Sequence, residues 1–254
     1  MVFFKKKYKT GRDGLSVETM MNGARLIAAA EPKNPVSEQF RTIRTNIDFA
    51  AVAKGNVKTL LVSSALPSEG KSNVTANLAV VYAQQGKRVL LVDTDLRRPT
   101  VARTFGVTDN HGLTNYLADV NSDAGSIIRH TRMSTLDVVA SGPVPPNPAE
   151  LLASSRMTNL ITELRQQYDL IIFDVPPFLM VTDAQVLMSK MDGVVIVVGG
   201  GQTTKGALQR TADILKLADA PMLGFIYNDR TRKKISGNGY GYGYGYGYGY
   251  GDAK

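Results

Sequence analysis

Lys58-Thr59-Leu60-Leu61-Val62-Ser63 runs through Ser64 into Ala65-Leu66-Pro67-Ser68-Glu69-Gly70-Lys71-Ser72, and a helical pattern follows over 74–85. The order is an apolar β-rich run, a loop and a helix, and the loop has the spacing GxxxxGK[ST] with Ala65 in place of the first glycine. Alanine keeps a small residue at the turn. Backbone N–H groups in such a loop, together with the helix N-terminus behind it, make a positive cradle for phosphates. Ser68, Glu69, Gly70, Lys71, Ser72 and Asn73 are therefore expected to line a nucleotide. Lys71 is placed to neutralise the β- and γ-phosphates, and the Ser72 hydroxyl to reach Mg²⁺, which prefers oxygen ligands.

Outward from this loop, further β-rich apolar runs lie at 88–93, 136–140, 170–175, 193–198 and 222–227, with helical patterns between them. Continuous apolar strands alternating with helices predict a doubly wound α/β fold with a mostly parallel sheet, because each crossover helix must cover one sheet face. Asn34-Pro35 and Asn147-Pro148 read as helix starts, with asparagine capping and proline in the first turn. Gly86 reads as the close of the helix that begins at the phosphate loop. Three segments follow: a polar, flexible start (1–34), a nucleotide-binding body (35–230) and a tail (231–254). The tail alternates glycine and tyrosine, with tyrosines at 240, 242, 244, 246, 248 and 250. Glycine at every second position raises the entropic cost of ordering, so a flexible tail with accessible hydroxyls is expected.

Two more apolar runs end in carboxylates. Asp93-Thr94-Asp95 closes 88–93, and Asp174-Val175-Pro176-Pro177 follows Ile171-Ile172-Phe173. Carboxyl ends of strands line the ligand crevice of open α/β sheets. Three carboxylates near a triphosphate need a cation to offset them, so ATP with Mg²⁺ is the implied cofactor pair. The 254 residues contain no cysteine, which excludes disulfides and cysteine-ligated metal centres and suits a cytoplasmic setting. His111 and His130 lack metal-ligand spacing. No export signal is read at the N-terminus, and the longest apolar runs fall far short of the ~20 residues that span a bilayer. Lys5, Lys6, Lys7 and Lys9 read as a solvated basic terminus, and the net charge of +8 does not by itself select a partner.

Taken together, Glu38-x-x-Arg41-x-x-Arg44, the loop ending at Ser72 with Asn77-Leu78-Ala79 beyond it, Asp93-x-Asp95-x-Arg97, Asp174-x-Pro176-Pro177 and the tyrosine tail resemble the bacterial protein-tyrosine kinases of capsular and extracellular polysaccharide synthesis, in particular the cytoplasmic kinase subunits of Gram-positive bacteria. Ser68 stands where glycine is frequent in that family and Asn73 where threonine is frequent. The resemblance implies autophosphorylation of the tail tyrosines, with Lys71, Asp93, Asp95 and Asp174 catalytic. Asp93 and Asp174 would join Ser72 at the metal, Asp95 would act as base, and Asn228 would contact the nucleotide base. It also implies a ring-shaped homo-oligomer, an octamer in the family, built through Glu38, Arg41 and Arg44, so that one copy's tail enters the next copy's site. Outside partners would be a membrane-embedded adaptor that recruits the kinase to the inner face of the membrane, a cognate phosphatase and other protein substrates. Phosphate groups on the tail would then repel one another and loosen the ring. Two rivals remain: a partitioning or septum-positioning ATPase switch, whose distinguishing loop lysine would fall at Leu66, and a nucleic-acid-binding scaffold, which the resemblance disfavours.

Overall fold

Strand β1 (Thr59–Ser64) is buried at every position, as a strand covered on both faces must be. A computed structural model describes residues 22–229. The remaining strands are β2 (Val89–Asp93), β3 (Ile128–His130), β4 (Leu136–Val139), β5 (Leu170–Asp174), β6 (Gly193–Gly199) and β7 (Met222–Asn228). They form one seven-stranded sheet in the order β3-β4-β2-β5-β1-β6-β7. Every pairing is parallel except β3 with β4. The doubly wound fold expected from the sequence is the fold observed, and each of the six expected strands lies within about one residue of its predicted bounds. β3 was not expected. It is a three-residue antiparallel edge with no fully buried position, too short to leave a periodic signal.

Helices cover both faces. On one side lie α1 (Ile27–Ala30), α2 (Pro35–Val52), α3 (Lys71–Ala83) and α4 (Val101–Phe105); on the other lie α5 (Leu113–Ala118), α6 (Pro148–Ala153), α7 (Ser155–Gln167), α8 (Asp183–Met188) and α9 (Lys205–Leu217). The alternation within β1 divides the core, since Leu60 and Val62 join the first layer and Leu61 the second. Each such leucine contributes about 1.5–3 kcal/mol on burial. α3 is buried on nearly all sides, because the sheet lies beneath it and α1 and α2 lie above. Its stretch Val74–Ala83 is therefore apolar apart from the buried Thr75 and Asn77 and has no polar stripe.

Asn34 caps α2, its side-chain oxygen accepting from Val36 N at 2.9 Å. Asn147 does not cap α6; its amide donates to Glu150 at 3.0 Å instead. Gly86 has φ +84°, as its position after α3 requires. The N-terminal segment does not stand apart as far as Asn34. From Gly23 onward it packs on the body: Ala24 N donates to Thr104 Oγ1 at 2.8 Å, and Ala28 N to Asn77 Oδ1 at 3.0 Å. Residue spacing cannot reveal this attachment, because α1 is a single turn held by contacts distant in sequence. No helix of the described residues is long and apolar enough to cross a membrane.

Candidate active site

The loop between β1 and α3 turns through two left-handed residues, Gly70 at φ +88° and Ser68 at φ +65°. A side chain at the second is strained, which accounts physically for the frequent glycine there in the family the sequence resembles. α3 begins at Lys71, so the first free N–H groups of the helix open on the loop. β2 and β5 are neighbours in register, with Asp93 beside Asp174. Their parallel pairing brings the expected carboxylates to the loop's mouth.

Lys71 organises the centre. Its Nζ lies 2.9 Å from Asp95 Oδ2, 3.3 Å from Asp174 Oδ1 and 3.1 Å from Ser72 Oγ. Burial works to lower the pKa of this ammonium, but Asp174 and then Asp95 outweigh it and the net shift is upward. Lys71 therefore stays charged. Burial pushes Asp174 up, against the pull of Lys71. Asp93 is pushed up as well, first by burial and then by Asp174. One ammonium faces three buried carboxyl groups, so the site has room for further positive charge.

The fit to Mg²⁺ rests on one atom. Asp174 Oδ2 is buried with no hydrogen-bond partner, an arrangement that costs free energy unless something else meets it. With Ser72 Oγ nearby, the donors are the hard oxygens that Mg²⁺ takes. No cluster of three or more metal-ligating side chains occurs among the described residues, so most of the coordination would come from water and phosphate oxygens. Asp93 is brought to the site but is aimed elsewhere. Its Oδ2 accepts from Thr100 N and Val101 N at 2.9 Å each, and its Oδ1 from Asp95 N at 3.2 Å. In this geometry it holds the loop after β2 and the start of α4, and only Oδ1 keeps a lone pair for a water-mediated contact with a metal.

Three expected nucleotide contacts take other roles through their side chains. Glu69 turns inward and is buried: its Oε2 accepts from Leu66 N at 2.9 Å and its Oε1 accepts from the Thr203 hydroxyl. A carboxylate facing the cradle would repel phosphate; turned inward, it braces the loop. Burial raises its pKa against the backbone donor Leu66 and the hydroxyl of Thr203. Asn228 donates to the Glu69 carbonyl at 2.8 Å, and Gln202 to the Pro67 carbonyl at 2.9 Å. The ends of β6 and β7 thus clamp the outer half of the phosphate loop. The Asn73 amide reaches the Arg25 carbonyl at 3.4 Å, leaving only its backbone for a nucleotide. Thr203 and Gln202 were not legible, because they lie some 134 residues from their partners and carry no motif. Arg97, noted in the sequence pattern, pairs with the buried Asp183 through two nitrogens at 3.0 and 3.3 Å, tying the loop after β2 to α8.

Glu69→Ala would leave the Leu66 N–H and the Thr203 hydroxyl without their acceptor, at about 1–3 kcal/mol. Nucleotide titration of the purified variant is expected to show roughly tenfold weaker binding, with Glu69→Gln close to native; native affinity in the alanine variant would refute the bracing role of the Glu69 side chain.

Glu38, Arg41 and Arg44 all lie on α2 but do not form one free face. Arg41 pairs with Glu38 at 2.7 Å and donates to the Pro32 carbonyl at 2.7 Å, while Arg44 donates to the Val81 carbonyl of α3 at 2.6 Å. The tail tyrosines Tyr240, Tyr242, Tyr244, Tyr246, Tyr248 and Tyr250 lie outside the described residues.

Comparison with known proteins shows the family of the chain. An AAA-domain family profile matches residues 57–220. The chain is 47% identical over 211 residues to the tyrosine-protein kinase YwqD of Bacillus subtilis, covering 83% of this chain and 88% of that one. It is 39% identical over 198 residues to the putative tyrosine-protein kinase CapB of Staphylococcus aureus, covering 78% and 86%. Among solved structures, the kinase domain of the Escherichia coli tyrosine kinase ETK superposes with a TM-score of 0.77 at 33% identity, covering 85% of each chain. With its phosphate loop, its carboxylates and relatives of this likeness, the chain belongs to the bacterial tyrosine-protein kinase family.

Proposed function

We propose that this chain is an ATP- and Mg²⁺-dependent protein-tyrosine kinase that phosphorylates the tyrosines of its own tail, one copy acting on the next within a ring, and that it regulates capsular or extracellular polysaccharide synthesis and export. The observation that carries the reading is the sharing of Lys71 Nζ between Asp95 and Asp174 at the mouth of the phosphate loop. Phosphoryl transfer is mostly a matter of positioning and charge neutralisation, and those are the functions these side chains can perform. Bound Mg²⁺ would offset the phosphate charge, held by Ser72 Oγ and Asp174 Oδ2. The loop amides and Lys71 bind and orient the nucleotide phosphates. Asp95 accepts the proton of the incoming tyrosine hydroxyl, a poor nucleophile at neutral pH. The ATPase-switch alternative is not favoured, since the relatives described above are named as kinases.

The ring reading rests on the Glu38, Arg41 and Arg44 pattern. Arg41→Ala combined with Arg44→Ala is expected to give monomers in light scattering, and an intact ring would sink the assignment. Because Arg44 also serves the Val81 carbonyl, a thermal melt of the same variant separates lost assembly from lost folding. Recruitment through a membrane adaptor, which places the kinase at the inner face of the membrane, and reversal by a phosphatase complete the proposal.

The deciding experiment incubates the chain with ATP and Mg²⁺ beside Lys71→Met, digests both with trypsin and weighs the peptide 235–254, which carries all six tail tyrosines. Phosphate additions present in the native chain and absent from the variant are expected. A peptide that stays unmodified even with the adaptor's cytoplasmic segment added would overturn the kinase reading.

A further inference from the structure

Four tyrosines lie among the described residues, and three are closed to any kinase: Tyr82, Tyr116 and Tyr168 are 1%, 5% and 7% exposed. Tyr227 is 68% exposed. It stands near the carboxyl end of β7, the end at which open α/β sheets bind their ligands. Its hydroxyl lies against the loop after β6, where a methyl group at Gly200 would come within 2.8 Å of the phenol oxygen. Gly200 N donates to the Asn228 carbonyl at 2.9 Å. Asn228, the next residue along, donates to the Glu69 carbonyl of the phosphate loop. The exposed phenol therefore sits on the clamp that holds the nucleotide cradle.

We infer that Tyr227 is a phosphoacceptor on the folded body, modified by a second copy of this chain, and that its phosphate weakens nucleotide binding. The inference rests on the kinase reading above. Transfer within one molecule is excluded by the sheet. β5, β1 and β6 separate β2 from β7, and four strand spacings amount to about 19 Å, too far for a side chain fixed on β7 to reach Asp95 beside β2. In the step itself, the Tyr227 oxygen bonds to the γ-phosphorus of ATP. The bond from that phosphorus to the β–γ bridging oxygen breaks, its electron pair leaves with ADP, and the phenol proton passes to Asp95 of the acting copy. The product carries about −1.5 to −2 charges beside a loop built to hold anions. Repulsion of the nucleotide phosphates across partly screened solvent is expected to weaken ATP binding roughly three- to tenfold.

The test mixes two full-length chains with ATP, Mg²⁺ and the adaptor's cytoplasmic segment: Tyr227→Phe, which retains the catalytic residues, and Lys71→Met, which serves as acceptor. Tryptic peptide 217–230 holds Tyr227 as its sole tyrosine, so in the mixture that tyrosine comes only from the Lys71→Met chain. Phosphate on this peptide supports the inference. Phosphate on the tail peptide alone overturns it and leaves the kinase reading standing, whereas phosphate on neither peptide overturns both. The regulatory half is read by comparing ATP affinity of the fully phosphorylated native chain with that of equally treated Tyr227→Phe. Weaker binding in the native chain is expected, and equal affinities would refute the feedback.

Discussion

Lys71→Met is expected to reduce phosphate transfer to the tail by roughly 10³-fold or more, the order seen when one preorganised charge is removed from a transferring phosphoryl group. Methionine preserves the stem's length and packing and deletes only the ammonium, so the loss reads on charge. The same change should alter stability in a way that depends on pH. In the native chain Lys71 pairs with Asp95 and Asp174, and without it no ammonium stands among those buried acids to offset their charge. Asp174 and Asp93 are already raised above the ordinary carboxylate range, and losing a cation raises such groups further. An acid raised on folding contributes stability that is fully present below its unfolded pKa and is lost as pH rises through the folded one. The variant should therefore lose more melting temperature than the native chain between mildly acidic pH and pH 8. Calorimetry at several pH values, beside the phosphate-transfer assay, checks both parts. Equal pH slopes would mean that Lys71 does not hold the carboxylates together in the nucleotide-free state.

The centre of this site was readable because its parts obey short-range rules. A strand, a loop of fixed length and a helix place Lys71 and Ser72, and the carboxyl ends of β2 and β5 place Asp93, Asp95 and Asp174 once the sheet is parallel. What the sequence left unread is rotation and distance. Spacing puts Glu69 in the phosphate loop but cannot say that its side chain turns inward to Leu66 and Thr203. Likewise, Asp93 belongs to the edge where ligands gather, yet its oxygens close on the amides of Thr100 and Val101. The packed stretch from Gly23 was missed for a similar reason: Ala28 and Asn77 meet across 49 positions, and no periodicity announces such a contact. Arg44 shows the converse case. A residue read only as a surface contact is also a strut onto α3.

Asp95→Asn is expected to lower kcat for tail phosphorylation about 10²- to 10⁴-fold, the usual contribution of a positioned general base, with little change in KM for ATP. The substitution keeps the side chain's shape. Its oxygen can still accept the 3.1 Å bond that Arg98 N donates to Oδ1, so the loop after β2 should hold its course. What goes is the carboxylate that can take the tyrosine proton. In the nucleotide-free chain this carboxylate is engaged, 2.9 Å from Lys71 Nζ. A lysine drawn to nucleotide phosphates would release it, so the base comes free only when there is a phosphoryl group to transfer. That exchange would couple release of the base to nucleotide binding, and it makes the kinetic split informative. A fall in kcat alone assigns Asp95 to the transition state, while a matching rise in KM for ATP would make it a holder of Lys71 and of the loop. Tail phosphorylation at the native rate in Asp95→Asn would sink the base assignment and send the proton to water or to the phosphate itself.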